Sequence, residues 1–549
     1  MSNICYTVKE NGFTRGEDTM EGKKIAETLT KARGYIEKYR TETAGLLMLL
    51  LLVLQRTIFG FKYFPVIDDW FLYYGRSMSE DVLSTLDLTM RPLAGLADAF
   101  MITPLAGHMI ITELLLMVML AASVYFLCRA FSMSRISSGA VLMTIAALSP
   151  IGFEGLYWIA ASSRIISSLF FISLCVYSEA RYVTDRKKRY LAVFIVSGLF
   201  SVGFYEMMVP IYFALTVIVM LKHRRSVWIM VFPVIFTAAA IIYYKLNMGD
   251  PALAERGEMI GKDLFSYHIW DMYDWYKKVF GSIQLRLLKE SFIDGAKALA
   301  AHPVWAVLIT AASAGFAAVM RGSRNEGRLW YDLLMGVGLI AAAISVMVIL
   351  SYVRVPFRVA YPICIGAALV AEAVLCRILP GMVYRIAVFA LVMFFSVCNI
   401  GELNLYRWNN ERDEEYCAEV MEKADVFNPD MLVYIFNERD YWYNDRVQHY
   451  EYVKAVSENY ACITGMIQYK AGVSDIHNVM TVNNGDVVKL YDLTGPDVET
   501  FYIDKAGIMQ PCYAERVGDN YDILSDKDGY IGSLTRNGDT MRYDEYVGE

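Results

Sequence analysis

The sequence predicts an all-α polytopic membrane protein with about eleven transmembrane helices, followed by a small α+β domain outside the membrane. Three observations lead to this prediction: an apolar composition, apolar runs of helix length, and a change of charge near residue 400. Hydrophobic residues make up 56% of the 549-residue chain, and charged residues only 20%. Because soluble proteins carry about 25% charged residues, this composition indicates a membrane protein.

The apolar runs recur along the first 400 residues. The hydrocarbon core of a bilayer is about 30 Å thick and is crossed by about 20 apolar residues of helix. The predicted spans are 44–59, 107–128, 136–149, 166–180, 191–206, 208–221, 227–244, 303–319, 332–351, 360–376 and 386–400. Several runs are short, so one or two of them can be re-entrant.

Charge divides the chain into two parts. Residues 401–549 hold 13 Lys and Arg against 29 Asp and Glu, whereas residues 1–400 hold 38 against 29. The sequence therefore predicts an N-terminal segment (1–43), a membrane domain (44–400) and an acidic C-terminal domain (401–549). The C-terminal domain combines a polar helix at 405–424 with strand-like runs at 431–436, 486–493 and 498–504. Nothing in this distribution indicates a nucleic-acid-binding protein.

Basic residues predict the orientation, since cytoplasmic loops are enriched in Lys and Arg. With the N-terminus inside, the inner segments hold 23 Lys and Arg in 86 residues, and the main outer segments hold 14 in 129. An odd number of spans then places the C-terminal domain outside. The outer segments contain no Asn-x-Ser/Thr glycosylation site, which favours a bacterial cell membrane.

The first outer loop, 64–93 (FPVIDDWFLYYGRSMSEDVLSTLDLTMRPL), carries the most informative motif. Asp68 and Asp69 follow the first span almost at once. Adjacent carboxylates repel each other, so their pairing indicates either a general base at the membrane surface or a helix N-cap. The neighbouring Trp70 is typical of the aromatic belt at a membrane interface.

Further charged residues lie at or just inside the predicted outer ends of spans. Ionisable groups in such places are costly and often functional, and the planar fork of Arg suits phosphate. The alternative is a set of internal ion pairs, in which Arg164 pairs with Glu154 or Glu206. The candidate substrate-binding residues are Arg91, Glu154, Arg164, Glu206, Arg354 and Arg358.

Several kinds of chemistry have no motif in the chain. There is no phosphate-binding P-loop, no dinucleotide fingerprint, no pair of His at zinc spacing and no nucleophile elbow. The sequence assigns no metal ligands and no cofactor, and a divalent cation at the acidic pair stays open. Because no predicted cytosolic segment is large enough to bind a nucleotide-sugar, the substrates are expected to come from the membrane or from outside.

The order of these motifs resembles that of the GT-C glycosyltransferases, which use polyprenyl-phosphate-linked sugars. An acidic pair follows the first span, and a loop ends in R-P-L at 91–93. Glu154 precedes W-I-A-x-x-x-R-x-x-x-S-L-F-F at 158–171, and R-x-x-Y-P at 358–362 opens a late span. The middle segment is similar to membrane O-mannosyltransferases, and the R-P-L loop to bactoprenol-linked glucosyltransferases.

The resemblance implies a GT-C-like fold and an inverting transfer of sugar to an acceptor hydroxyl on the extracytoplasmic face. It implies that Asp68 is the catalytic carboxylate, with Asp69 beside it, and that Arg358 meets the lipid phosphate. Glu154 and Arg164 would line the site. The expected partners are a polyprenyl-phosphate sugar, a glycan or protein acceptor, and the bilayer. The alternatives are a lipid or glycan transporter and a non-catalytic membrane assembly factor.

The charge asymmetry makes a prediction about topology. An alkaline-phosphatase fusion at the C-terminus should be enzymatically active, because that enzyme works only outside the cytoplasm. A fluorescent-protein fusion at the same point should be dark. The reverse pattern would contradict the orientation and would move the candidate residues to the cytoplasmic face.

Overall fold

The computed structural model describes residues 34–35, 37–67, 69–70, 91–247, 268–320, 329–349, 357–436, 460–473, 476, 478–488, 492–504 and 507–546. The chain is mostly helical, with a β-sheet domain at the C-terminal end. Asp68, Arg354 and residues 71–90 of the first outer loop lie outside the described residues.

Each predicted apolar run overlaps a helix. In chain order the helices up to residue 423 are α1 Arg40–Arg56, α2 Met109–Met133, α3 Ala140–Leu148, α4 Phe153–Tyr157, α5 Ile159–Asp185, α6 Lys188–Ser201, α7 Val209–Lys222, α8 Val231–Asn247, α9 His268–Lys277, α10 Gln284–Ala301, α11 Pro303–Val319, α12 Leu329–Ile349, α13 Phe357–Ile378 and α14 Gly381–Lys423. Short helical turns over 94–108 lead into α2. An apolar run forms a helix because a helix satisfies its own backbone hydrogen bonds.

Fewer helices than runs are long and apolar enough to cross a bilayer. Within the described ranges there are five: Ala94–Met133, Ile159–Asp185, Leu329–Val346, Arg358–Ile378 and Gly381–Lys423. A sixth span is counted if α10 and α11, which meet at a bend of 114°, act as one. Helix α3 has nine residues, which is about 14 Å of helix and too short to span by itself.

Helix α14 joins the body to the C-terminal domain without a break. Its 43 residues contain both the predicted span 386–400 and the predicted polar helix 405–424. No proline interrupts residues 381–423, and the helix ends only where Ala424 turns to an extended conformation. The boundary predicted at residue 400 therefore lies inside a helix, and the sheet begins at Leu432.

The described residues of the C-terminal domain form an eight-stranded sheet in the order β2-β1-β4-β5-β6-β7-β8-β3. Its strands are β1 Leu432–Phe436, β2 Val479–Val482, β3 Val487–Val488, β4 Val498–Ile503, β5 Met509–Val517, β6 Asn520–Ser525, β7 Gly529–Asn537 and β8 Thr540–Glu545. Strand β1 pairs in parallel with β2 and β4, and the other pairs are antiparallel. Helix α15 (Tyr460–Ala471) lies between β1 and β2 in the chain.

The sheet has two buried faces around β1. Val433 and Ile435 join the core of the helical body. Tyr434 and Phe436 point the other way, into a second core with residues of β6, β7 and β8. The rings of Phe436 and Tyr543 lie 5.2 Å apart, centroid to centroid. The antiparallel strands thus fold back over β1.

The C-terminal domain contacts the first outer loop. Glu414, in the C-terminal half of α14, forms ion pairs with Lys62, two residues before that loop, at 3.1 Å and with Lys470 of α15 at 3.3 Å. Trp70 is buried, with its ring 5.7 Å from that of Tyr469 in α15. The prediction that Trp70 belongs to an aromatic belt is therefore wrong, because a second protein segment covers it.

Candidate functional site

The first outer loop is joined to the beginning of helix α5. The first backbone amides of an α-helix have no partner within the helix, and here Asp69 of the loop and Tyr63, the residue before it, supply the acceptors. The Ile159 N–H donates to the Tyr63 hydroxyl at 3.0 Å. The Ala160 N–H donates to Asp69 Oδ1, also at 3.0 Å. Two residues from another part of the chain therefore cap α5.

The other oxygen of Asp69 completes this connection. Oδ2 accepts from the Tyr63 hydroxyl at 2.5 Å and from the Val66 N–H at 3.2 Å. Burial and the adjacent Asp69 carboxylate raise the pKa of Tyr63 well above its usual value, so its hydroxyl stays protonated and remains a donor. Asp69 is fully buried. The capping alternative thus describes the contacts of Asp69, although the helix it caps is α5.

Arg164 lies one turn further along α5 and holds the helical turns before α2. Its Nη2 donates to both carboxylate oxygens of Asp98, at 3.2 and 3.0 Å. Its Nη1 donates to the carbonyl oxygen of Ala160, the residue whose N–H binds Asp69. Arg164 was expected to pair with Glu154 or Glu206 if its role were structural. That expectation is wrong, since the pair forms with Asp98.

Glu154 and Arg358 meet where helix α4 packs on the beginning of α13. The distance from Arg358 Nη1 to Glu154 Oε1 is 3.6 Å, and the guanidinium lies 5.3 Å from the Trp158 ring centroid. The two backbones approach closely at Gly155, where a Cβ would come within 2.9 Å of the Arg358 carbonyl oxygen. Gly152 adopts a positive φ of 82° in the turn before α4. Glycine at these positions brings Glu154 up to Arg358.

Arg91 and Glu206 form the best-aligned ion pair of the site. Arg91 donates through Nε and Nη2 to the two oxygens of Glu206, each at 2.7 Å. Its guanidinium lies 4.7 Å from the ring centroid of Tyr205. Arg358 lies near enough to Tyr205 and Glu206 for its charge to act on both, so this pair and the pair with Glu154 are neighbours. The Arg91 side chain is 36% exposed.

The structure thus brings together the six predicted site residues that it describes. Asp69 and Arg164 meet through the first turn of α5, and Arg358 reaches the same turn through Trp158. Glu154, Arg91 and Glu206 join through Arg358. The set is Asp69, Arg91, Glu154, Arg164, Glu206 and Arg358.

A further buried ion pair was missed in the sequence. Arg56, at the end of α1, pairs with Glu113 of α2 at 3.0 Å. Its guanidinium also lies over the rings of Phe153 and Tyr157, at 4.3 and 4.8 Å from their centroids. Arg56 lies just inside the predicted outer end of the run 44–59, so the criterion used for the other candidates also finds it. Asp98 lies nine residues before the predicted run 107–128 and Glu113 six residues inside it, so the criterion does not reach them.

The arrangement combines carboxylates with arginines that each bind a carboxylate. Such a site can compensate an added anion where that anion displaces one of the paired carboxylates from its arginine. Among the described residues, no group of three or more His, Cys, Asp or Glu side chains is placed to hold a metal ion.

Comparison with known proteins leaves the resemblance as a prediction. No family model, no curated protein and no solved structure matches the chain.

The pair between Asp98 and Arg164 leads to a stability prediction. Asp98→Ala removes the carboxylate that compensates a largely buried guanidinium, which typically costs about 3–5 kcal/mol. We expect a clear fall in the thermal unfolding midpoint in detergent. The double variant Asp98→Ala/Arg164→Ala should lose less than the sum of the single losses, since the two residues act together.

Helix α5 supplies a matched control at its other end. Asp185 pairs with Arg181 at 3.3 Å on a more exposed surface, where an ion pair contributes about 0–1 kcal/mol. Asp185→Ala should therefore leave the midpoint nearly unchanged. Equal midpoints for Asp98→Ala and the unaltered protein would show that the pair does not hold α5.

Proposed function

We propose that this protein is a membrane glycosyltransferase of the GT-C type, which moves a sugar from a polyprenyl-phosphate donor to an acceptor hydroxyl. The observation that carries the proposal is that the candidate residues form one connected group, which begins at the first turn of α5 with Asp69 and Arg164 and extends through Arg358. Residues chosen only because they lie near predicted outer ends of spans are connected to one another by described contacts. A shared site explains why so many ionisable groups occupy costly positions.

The proposed membrane arrangement has eleven helices in a bacterial cell membrane, with the N-terminus cytoplasmic and the C-terminal domain outside. The apolar character of the described helices supports membrane insertion, and the Lys and Arg distribution supports the orientation. In this arrangement the first turn of α5 faces the extracytoplasmic side, where a lipid-linked sugar would be used.

The proposed reaction is a single inverting displacement. The acceptor oxygen attacks the anomeric carbon while Asp68 takes the hydroxyl proton. The bond between the anomeric carbon and the phosphate oxygen breaks, and polyprenyl phosphate leaves with its bonding electrons. Positive groups aimed at the leaving phosphate lower the barrier, because they compensate the charge that develops there.

Asp68 and Asp69 take different roles in this proposal. The described hydrogen bonds of Asp69 hold the loop and the helix end together, which supports a positioning role. Asp68, its covalent neighbour, is left as the proposed base. This division agrees with what the family resemblance implies for Asp68.

Arg358 is the proposed contact for the donor phosphate. The distance from Arg358 Nη1 to Glu154 Oε1, 3.6 Å, is longer than the 2.7 Å contacts between Arg91 and Glu206. A phosphate can therefore compete with Glu154 more easily than with Glu206. Arg91, Arg164 and Arg354 would contribute further positive charge around the donor.

The central test is a lipid-linked-sugar transfer assay with the purified protein in liposomes. Asp68→Asn keeps the shape of the side chain but cannot take the proton, and loss of a general base costs about 10²–10⁴ in rate. We expect transfer to fall by that factor at an unchanged thermal midpoint.

Asp69→Asn serves as the matched control for the same assay. An amide can offer only one acceptor oxygen, so this variant loses acceptor capacity toward Tyr63, Val66 or Ala160. We expect its thermal midpoint to fall. If both variants transfer sugar at a near-normal rate, the catalytic role of the acidic pair is excluded, and a lipid or glycan transporter becomes the better proposal.

Arg358 gives a second, separate test of the site. Arg358→Ala should raise the KM for the lipid donor, because it removes charge that faces the phosphate. Arg358→Lys should restore donor use only in part, since an ammonium lacks the bidentate fork. An Ala variant with normal donor kinetics would show that Arg358 only pairs with Glu154.

A further inference from the structure

On strands β5 to β8, the face that points away from the second core carries a row of mostly aromatic side chains. Tyr513 of β5 pairs with Leu524 of β6, and Leu524 pairs in turn with Tyr530 of β7. Directly paired residues of antiparallel strands lie on the same face of a sheet. The ring of Tyr546, just after β8, lies 5.3 Å from that of Tyr530. We call Tyr513, Leu524, Tyr530 and Tyr546 the aromatic row.

A polar row runs beside the aromatic row. Glu515 pairs with Asp522, Asp522 with Ser533, and Ser533 with Asp544, so the four residues cross four strands in register. They stand two residues from the aromatic row along β5 and β6 and therefore share its face. The polar row consists of Glu515, Asp522, Ser533 and Asp544.

The three tyrosines of the aromatic row are exposed to solvent, whereas the other face of the same strands is buried. The exposed fraction is 49% for Tyr513, 38% for Tyr530 and 56% for Tyr546. On the opposite face, Tyr521 and Tyr543 are buried in the second core. The sheet does not need the outer rings for its core, and contiguous exposed apolar surface often marks a binding site.

We infer that this face binds a neutral glycan chain. An aromatic ring presents a flat apolar surface to the C–H groups of a sugar ring. Carboxylates and a hydroxyl beside it accept hydrogen bonds from sugar hydroxyls. Tyr513 and Tyr530 stand two strands apart, which is about 10 Å, so the face suits an extended chain of several sugars.

The net negative charge of this face disfavours anionic ligands and a second copy of the chain. Glu515, Asp522 and Asp544 bring three carboxylates, whereas Arg542 brings one cation and pairs with Asp544 at 3.2 Å. Net negative charge repels phosphate, so the face does not suit anionic lipid or nucleic acid. A second copy of the chain would bring its own carboxylates against these. The inference goes beyond the proposed transfer reaction and does not depend on it.

The test measures binding of the full-length protein, purified in detergent, to immobilised oligosaccharides. The probes are neutral oligomers of glucose, galactose, mannose, rhamnose and N-acetylglucosamine, with oligogalacturonate as the anionic probe. We expect binding to at least one neutral oligomer and little to the anionic one. Tyr513→Ala/Tyr530→Ala should weaken the neutral binding by about tenfold or more, as expected for loss of central aromatic contacts. Tyr513→Phe/Tyr530→Phe keeps the rings and should retain most of it.

Phe427 provides the matched control, since it is an exposed aromatic residue of the same domain outside the sheet. Phe427→Ala should bind the oligomers as the unaltered protein does. Three outcomes would overturn the inference: no binding to any neutral oligomer, equal binding by the double Ala variant, or a double Ala variant that changes only the oligomeric state. The last would make the face a contact between copies.

Discussion

The contact between Asp69 and the first turn of α5 is the constraint on which the candidate site depends. A buried carboxylate is tolerated only when donors surround it, and the orphan amides of a helix end need acceptors. Here Asp69 accepts from the Ala160 amide, so the carboxylate gains a donor and the helix end gains an acceptor. Tyr63 accepts from the Ile159 amide and donates to Asp69. The contact fixes the first outer loop against the first turn of α5. Arg164 extends from the same part of α5 to Asp98, so the position of this ion pair depends on that contact.

The helical part of the fold was readily predicted, because an apolar segment of this length has few options other than a helix. Every predicted run overlaps a helix, and β1 and β4 follow the strand-like runs at 431–436 and 498–504. The end of the apolar part of the chain was harder to place. Composition changes near residue 400, but a change from apolar to charged residues does not stop a helix. Helix α14 continues until its hydrogen bonding ends at Ala424.

The candidate site was predicted as a set of residues but not as a set of contacts. Charge near the outer end of a span is visible in the sequence, and six such candidates are connected in the structure. Which carboxylate meets which arginine is decided by helix packing across long stretches of chain, 66 residues for Asp98 and Arg164 and 115 for Arg91 and Glu206. Trp70 was misassigned for the same reason, since its cover comes from α15.

Because α14 is unbroken, it fixes the rotation of the C-terminal domain about the helix axis relative to the helical body. Each added residue turns a helix by about 100° and advances it by about 1.5 Å. A single insertion between the apolar and polar parts of α14 would therefore carry Glu414 away from Lys62. A change of length in this stretch would turn the whole sheet around the helix axis, whereas a substitution would leave its orientation unchanged.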